Sequence, residues 1–114
     1  MKPLTSEELE PALERIAERL AAWGASKVVL FGSLARGDHR GCSDIDLLVV
    51  KETEDRPLSR IEQVLEICDQ AAAPLPVEPL VFTSGELDDL LEAGNPLVTR
   101  ALRQGRVLHE QPRT

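Results

Sequence analysis

The stretch Lys27-Val28-Val29-Leu30-Phe31-Gly32-Ser33-Leu34-Ala35-Arg36-Gly37, followed by Ser43-Asp44-Ile45-Asp46-Leu47-Leu48-Val49-Val50, decides the reading of this chain. Val28 to Phe31 and Ile45 to Val50 are short, almost wholly apolar runs, the pattern of strands buried on both faces. Gly32 and Ser33 open a turn between them, and after ten intervening residues Asp44 and Asp46 follow two apart, giving G-S-x10-D-x-D. At ordinary usage of roughly 5–7% for each residue type, this spacing arises by chance in about one in a thousand chains of this length, so the pattern is read as chemistry. Glycine permits close backbone approach, and with the serine hydroxyl and free N–H groups at a helix start the turn suits terminal phosphates. Side chains alternate along a strand, so Asp44 and Asp46 share one face, where two carboxylates repel unless a cation lies between them. Hard oxygen donors suit Mg²⁺, and two such ions about 4 Å apart stabilise attacking and leaving oxygens together. The pattern points to nucleotidyl or phosphoryl transfer, with Arg36 as a further phosphate contact.

Outward from this centre the order of elements is regular. Leu9, Leu13, Ile16, Leu20 and Trp23 mark one apolar helical face that Gly24 ends. Pro11 predicts a kinked or late start for this helix, because the early start offered by a Thr5/Glu8 capping box puts proline in the interior. Strand one covers about Lys27 to Phe31 and strand two about Asp44 to Lys51. After a charged loop over Lys51 to Pro57, the spacing of Leu58, Ile61, Leu65 and Cys68 predicts a second amphipathic helix ending near Ala73-Pro74. Val77 to Thr83 has strand character, and Pro79, which cannot donate to a ladder, assigns it to the sheet edge or to the strand's beginning. Thr83 and Glu86 form a capping box before Leu87, Leu90 and Leu91. Asn95-Pro96 opens a last helix through Leu102, Gly105 ends it, and a short Val107-Leu108 extension follows.

The 114 residues, 42% hydrophobic, suit a single domain spanning 1–114. A net charge of −7 argues against free nucleic acid as a partner, since affinity for a polyanion comes from clustered Lys and Arg. Aromatic content of 3% leaves few platforms for stacking bases and makes the core aliphatic. Two cysteines, Cys42 and Cys68, are too few for a disulfide scaffold, and no leader pattern or membrane-length apolar run is present, so the expected location is the cytoplasm. His39 and Cys42 have metal-ligand spacing but no second pair to complete a zinc site. Cys68 reads as a small buried hydrophobe and His109 as a surface residue.

Through Phe31 to Gly37 and Ser43 to Leu47 the chain resembles the minimal nucleotidyltransferases of the DNA polymerase beta superfamily, at full motif spacing and with a matching order of elements. The resemblance implies an α/β (α+β) nucleotidyltransferase fold, a small mixed sheet flanked by helices, in one domain. It implies Mg²⁺, as two ions, and a nucleoside triphosphate, usually ATP. In the family the glycine-serine turn holds the triphosphate, which assigns Gly32 and Ser33, with Arg36 beside them. The spaced aspartates bind metal, which assigns Asp44 and Asp46. A third carboxylate on a later strand helps activate the acceptor hydroxyl, and Glu78 is the best match, ahead of Asp38. The family usually places aspartate there, whereas Glu78 is one methylene longer and lies between Pro76 and Pro79. Family members this small often act as antitoxins to a separate HEPN-domain protein by adenylylating one of its tyrosines. The expectation is AMP transfer from ATP to an acceptor hydroxyl on such a partner, within a hetero-oligomer. Two alternatives stand beside it: a non-catalytic nucleotide-binding antitoxin module, and the catalytic subunit of a small-molecule, antibiotic-type nucleotidyltransferase.

Overall fold

Val28 to Leu30 and Leu47 to Val50 are buried on both faces of a sheet because helices cover both sides of it. The computed structural model describes residues 6–32, 34–35, 44–72 and 75–111. Its elements run α1 (Ser6–Trp23), β1 (Lys27–Phe31), β2 (Ile45–Val50), α2 (Pro57–Ala72), β3 (Val77–Phe82), α3 (Ser84–Glu92), α4 (Pro96–Gln104) and β4 (Arg106–Glu110). The four strands form a mixed sheet in the order β3-β2-β1-β4. β1 is antiparallel to β2 and β4, while β2 and β3 are parallel with α2 as the crossover between them. A small mixed sheet flanked by helices is the architecture the sequence implied.

Alternation sorts the strand side chains into two cores. Val28, Leu30, Ile45, Leu47, Val49 and Val81 pack with Leu13, Ile16 and Leu20 of α1 and with Val64 and Cys68 of α2. Val29, Leu48 and Val50 face the other way, onto Leu87 of α3 and Val98 of α4. Asp46 alternates with Leu47 and therefore belongs to the α3/α4 face. Ile16, with no exposed surface, is a stringent test of the first core. Ile16→Ala is expected to cost about 2–5 kcal/mol, the range for deleting a buried isoleucine side chain, measurable by denaturant unfolding.

Polar contacts fix the helices to this frame. Arg60 of α2, buried, donates from Nε to the Asp55 carbonyl at 2.7 Å and from Nη1 to Glu86 Oε1 at 2.6 Å. Glu86 also closes the expected capping box with Thr83 at the start of α3. Hydrogen bonding from Arg60 holds the Glu86 carboxyl below the usual glutamate range. Glu52 accepts from the Ser84 N–H at 2.7 Å, so α3 is anchored from the β2 side as well.

Three expectations are corrected. The first helix begins at Ser6 and contains Pro11, so of the kinked or late start expected, the late start is overturned. Pro11 is exposed, while Leu9 and Ala12 on either side are buried, so packing holds the turn despite a missing backbone donor. A bidentate pair from Arg106 of β4 to Glu10, at 2.6 and 2.8 Å, fastens the same turn. The Thr5 half of the proposed N-terminal cap lies outside the described residues. On α2 the buried stripe runs through Arg60, Val64, Cys68 and Ala71, leaving Leu58 and Leu65 exposed. The Val107-Leu108 extension is the middle of a full strand, β4, paired with β1. The edge placement of the Pro79 segment holds, since among the described residues β3 pairs only with β2.

Candidate active site

Three neighbouring strands deliver the site to one end of the sheet. Phe31, the last residue of β1, is in register with Asp46 of β2, and Asp46 is in register with Glu78 of β3. Adjacent strands lie roughly 4.8 Å apart, and paired residues of parallel strands project to the same face. Asp44 precedes β2 by one residue and stands two positions from Asp46. Asp46 is the one residue of β2 that is not buried: a carboxylate held half-exposed at the end of an otherwise apolar strand.

Electrostatics places the three carboxyl groups within mutual influence. Burial raises the Asp46 pKa above the ordinary aspartate value and the Asp44 charge adds to it, while a hydrogen bond with Glu78 works the other way. Glu78 is raised as well, first by hydrogen bonding to Asp44 and then by the Asp44 charge, with a smaller push from Asp46. Such crowding of acids with no cationic partner among the described residues is the condition a hard divalent cation relieves. No three His, Cys, Asp or Glu side chains among the described residues stand as a finished ligand shell. The fit to a metal therefore rests on the donor chemistry and the repulsion.

Gly32 closes the site against β2. Its φ is +78°, a conformation that non-glycine residues rarely adopt, and a Cβ built there runs into Asp46 Oδ2. The glycine therefore permits both the turn and the position of the aspartate. Ser33 and Arg36, expected to touch phosphate, lie outside the described residues, as do Asp38, His39, Arg40 and Cys42.

Two cavities flank Asp46. One, of about 240 Å³, lies against Phe31, Gly32 and Asp46 and is walled by Leu97, Arg100, Ala101 and Gln104 of α4 and by Gly105. The other, of about 630 Å³, opens on the β3 side among Val77, Glu78, Pro79, Leu80, Leu65 and Leu97. The α4 wall was not foreseen in the sequence. Leu97, Arg100, Ala101 and Gln104 carry a helical i, i+3, i+4, i+7 spacing that marks a common face, but which face meets the site is a tertiary fact. Cys68 takes no part, being buried on α2 with its thiol pKa pushed up to about 12 by desolvation.

The polymerase beta nucleotidyltransferase family matches residues 14–114. A Sulfolobus solfataricus protein with a 1.40 Å crystal structure, described as a candidate nucleotidyltransferase, is similar at 27% identity and a TM-score of 0.52, over 75% of this chain and 82% of that one. No curated protein matches the chain significantly. Since the family model covers residues 14–114, nearly the whole length, the chain belongs to the polymerase beta family of nucleotidyltransferases.

Proposed function

We propose that this chain transfers AMP from ATP to an acceptor hydroxyl with release of pyrophosphate, that the acceptor is a tyrosine of a HEPN-type partner, and that the chain serves as that partner's antitoxin in the cytoplasm. The observation that carries the reading is the alignment of Gly32, Asp46 and Glu78 at the ends of three adjacent strands. Asp44 and Asp46, with Glu78, would hold Mg²⁺, which when bound supplies positive charge to the phosphates and to the oxygens exchanged at phosphorus. The backbone at Gly32 admits the triphosphate close to the sheet. Glu78, exposed on the edge strand, is open to an incoming acceptor and takes the proton of its hydroxyl. The larger, mainly apolar cavity on the β3 side gives that acceptor its approach.

A partner-borne acceptor agrees with two features of the chain: it contains no Tyr, and its net charge of −7 disfavours a nucleic-acid acceptor. The test is incubation with MgATP, with and without a HEPN-type partner, followed by mass spectrometry of both proteins. An AMP-sized increase on a partner tyrosine supports the proposal. Modification of this chain alone, or efficient transfer to a small molecule without a partner, overturns it.

Glu78→Gln is expected to lower transfer by about a hundredfold, the lower range for a positioned acid-base group, with ATP binding largely retained. The non-catalytic reading is favoured by one feature, a glutamate beside Pro79 where the family usually places aspartate. ATP binding with no turnover in the presence of the partner would select it.

A further inference from the structure

We infer that Arg100 of α4 is a phosphate-binding residue of this site and that it holds the β- and γ-phosphates, the part of the nucleotide that leaves as pyrophosphate. The inference rests on the nucleotidyl-transfer reading above and adds to it a residue outside the glycine-serine and aspartate motif.

The smaller cavity is bounded by the Gly32 turn on one side and by α4 on the other, with Asp46 between it and the larger cavity. At about 240 Å³ it falls below the roughly 300–1,000 Å³ of pockets that enclose a whole drug-sized ligand, so it takes part of a nucleotide. Arg100 is the one cationic side chain among the described residues lining either cavity. It is exposed and has no ion pair or hydrogen bond among the described residues. Five other described cations are engaged, Arg15 with the Ala71 carbonyl, Lys27 with Glu110, Lys51 over the Trp23 ring, Arg60 with Glu86 and Arg106 with Glu10, while Arg19, Arg56 and Arg103, which like Arg100 have no such partner among the described residues, line neither cavity. An unengaged guanidinium beside a phosphate-admitting turn offers a planar fork of donors matched to phosphate oxygens. Gln104, one turn further along the same face, adds an amide donor.

The placement of Arg100 is built into the fold. At Gly105, where α4 ends, an added Cβ would collide with the Ala101 and Leu30 carbonyls and with Val29 Cγ1, so the helix end is pressed directly onto β1. That close contact holds the Leu97, Arg100, Ala101 and Gln104 face over the Gly32 turn. The C-terminal end of a helix carries about half a negative charge, which disfavours an anion; Arg100, with a full positive charge one turn earlier, reverses that sign. In the reaction the acceptor oxygen bonds to the α-phosphorus, and the bond from that phosphorus to the oxygen bridging to the β-phosphate breaks. The electron pair remains on pyrophosphate and the acceptor proton passes to a site carboxylate. Arg100 forms no covalent bond; its N–H groups meet the charge gained by the leaving group.

The experiment is calorimetric titration of wild type, Arg100→Ala, Arg100→Lys and Arg103→Ala with ATP, pyrophosphate and AMP, each with Mg²⁺. Arg103 is an exposed cation on the same helix that lines neither cavity. Arg100→Ala is expected to weaken ATP and pyrophosphate binding about tenfold to a hundredfold, the scale of a hydrogen bond to a charged group, and to leave AMP unchanged. Arg100→Lys should recover part of the loss, and Arg103→Ala should bind as wild type. Unchanged ATP and pyrophosphate binding by Arg100→Ala, an equal loss in Arg103→Ala, or an equal loss for AMP overturns the assignment while leaving nucleotidyl transfer standing. A wild-type chain that binds neither ATP nor pyrophosphate overturns both.

Discussion

Asp46→Asn is expected to reduce AMP transfer at least about a thousandfold, equivalent to about 4 kcal/mol of transition-state stabilisation, while leaving the fold intact. Asp44→Asn should do the same. Asparagine keeps the shape and one oxygen but removes the negative charge that a divalent cation requires at the point where phosphorus exchanges its oxygens. Stability should move in the opposite direction. Burial and the Asp44 charge raise the Asp46 pKa in the folded chain, so the ionised form is penalised there relative to the unfolded chain. A carboxyl shifted upward contributes its stability below the unfolded pKa, near 3.8, and loses it as pH rises through the folded value. Above the folded pKa the penalty is fully present in wild type and absent from the asparagine variant. Without metal, Asp46→Asn should therefore melt at the same temperature as wild type or higher, and the difference should shrink below about pH 4. Pyrophosphate release and melts at the two pH values measure both arms. Full activity in either variant would remove Asp44 and Asp46 from the chemistry.

The legible parts of this molecule were those fixed by local chemistry. β1 and β2 announced themselves as apolar runs, and the α3 and α4 starts as Thr83/Glu86 and Asn95-Pro96, because caps and strand alternation act over a few residues. The register of Asp46 against Glu78 agrees with the order of the motif. β4 was not legible as a strand, since only Val107 and Leu108 are apolar. Its state is set by pairing with β1 once Gly105 has brought the chain against that strand. Leu58 and Leu65 misled for a related reason: their spacing fits an apolar stripe, but α2 turns Arg60 and Val64 inward, and Arg60 is tolerated there because Asp55 and Glu86 receive its donors. Arg100 was invisible because nothing in its neighbourhood says that α4 crosses the mouth of the Gly32 turn.

Gly32→Val should nearly eliminate nucleotide binding, and its comparison with Gly32→Ala separates steric from structural causes. At φ +78° any Cβ is strained, by about 1–2 kcal/mol for an ordinary residue and by more when the side chain is β-branched. The first atom an added Cβ meets is Asp46 Oδ2, the end of a side chain that can rotate away, with no backbone atom among its nearest neighbours. Alanine should therefore displace the Asp46 carboxylate while the sheet persists, because Phe31 and Asp46 remain paired through their backbones. A displacement of about 1 Å in a reacting group costs on the order of a hundredfold in rate, so Gly32→Ala is expected to lose transfer by at least that factor with a cooperative unfolding transition retained. Valine adds bulk that fills the approach of the triphosphate and should abolish ATP binding as well. Ser33→Ala, which removes one hydroxyl, should weaken ATP binding by only about 1.5–3 kcal/mol. Calorimetric ATP titration of the three variants gives the order Val, then Ala, then Ser33→Ala in severity. Equal and negligible effects from all three would return the turn to a purely structural role, because a glycine needed only for chain reversal has no reason to influence a ligand.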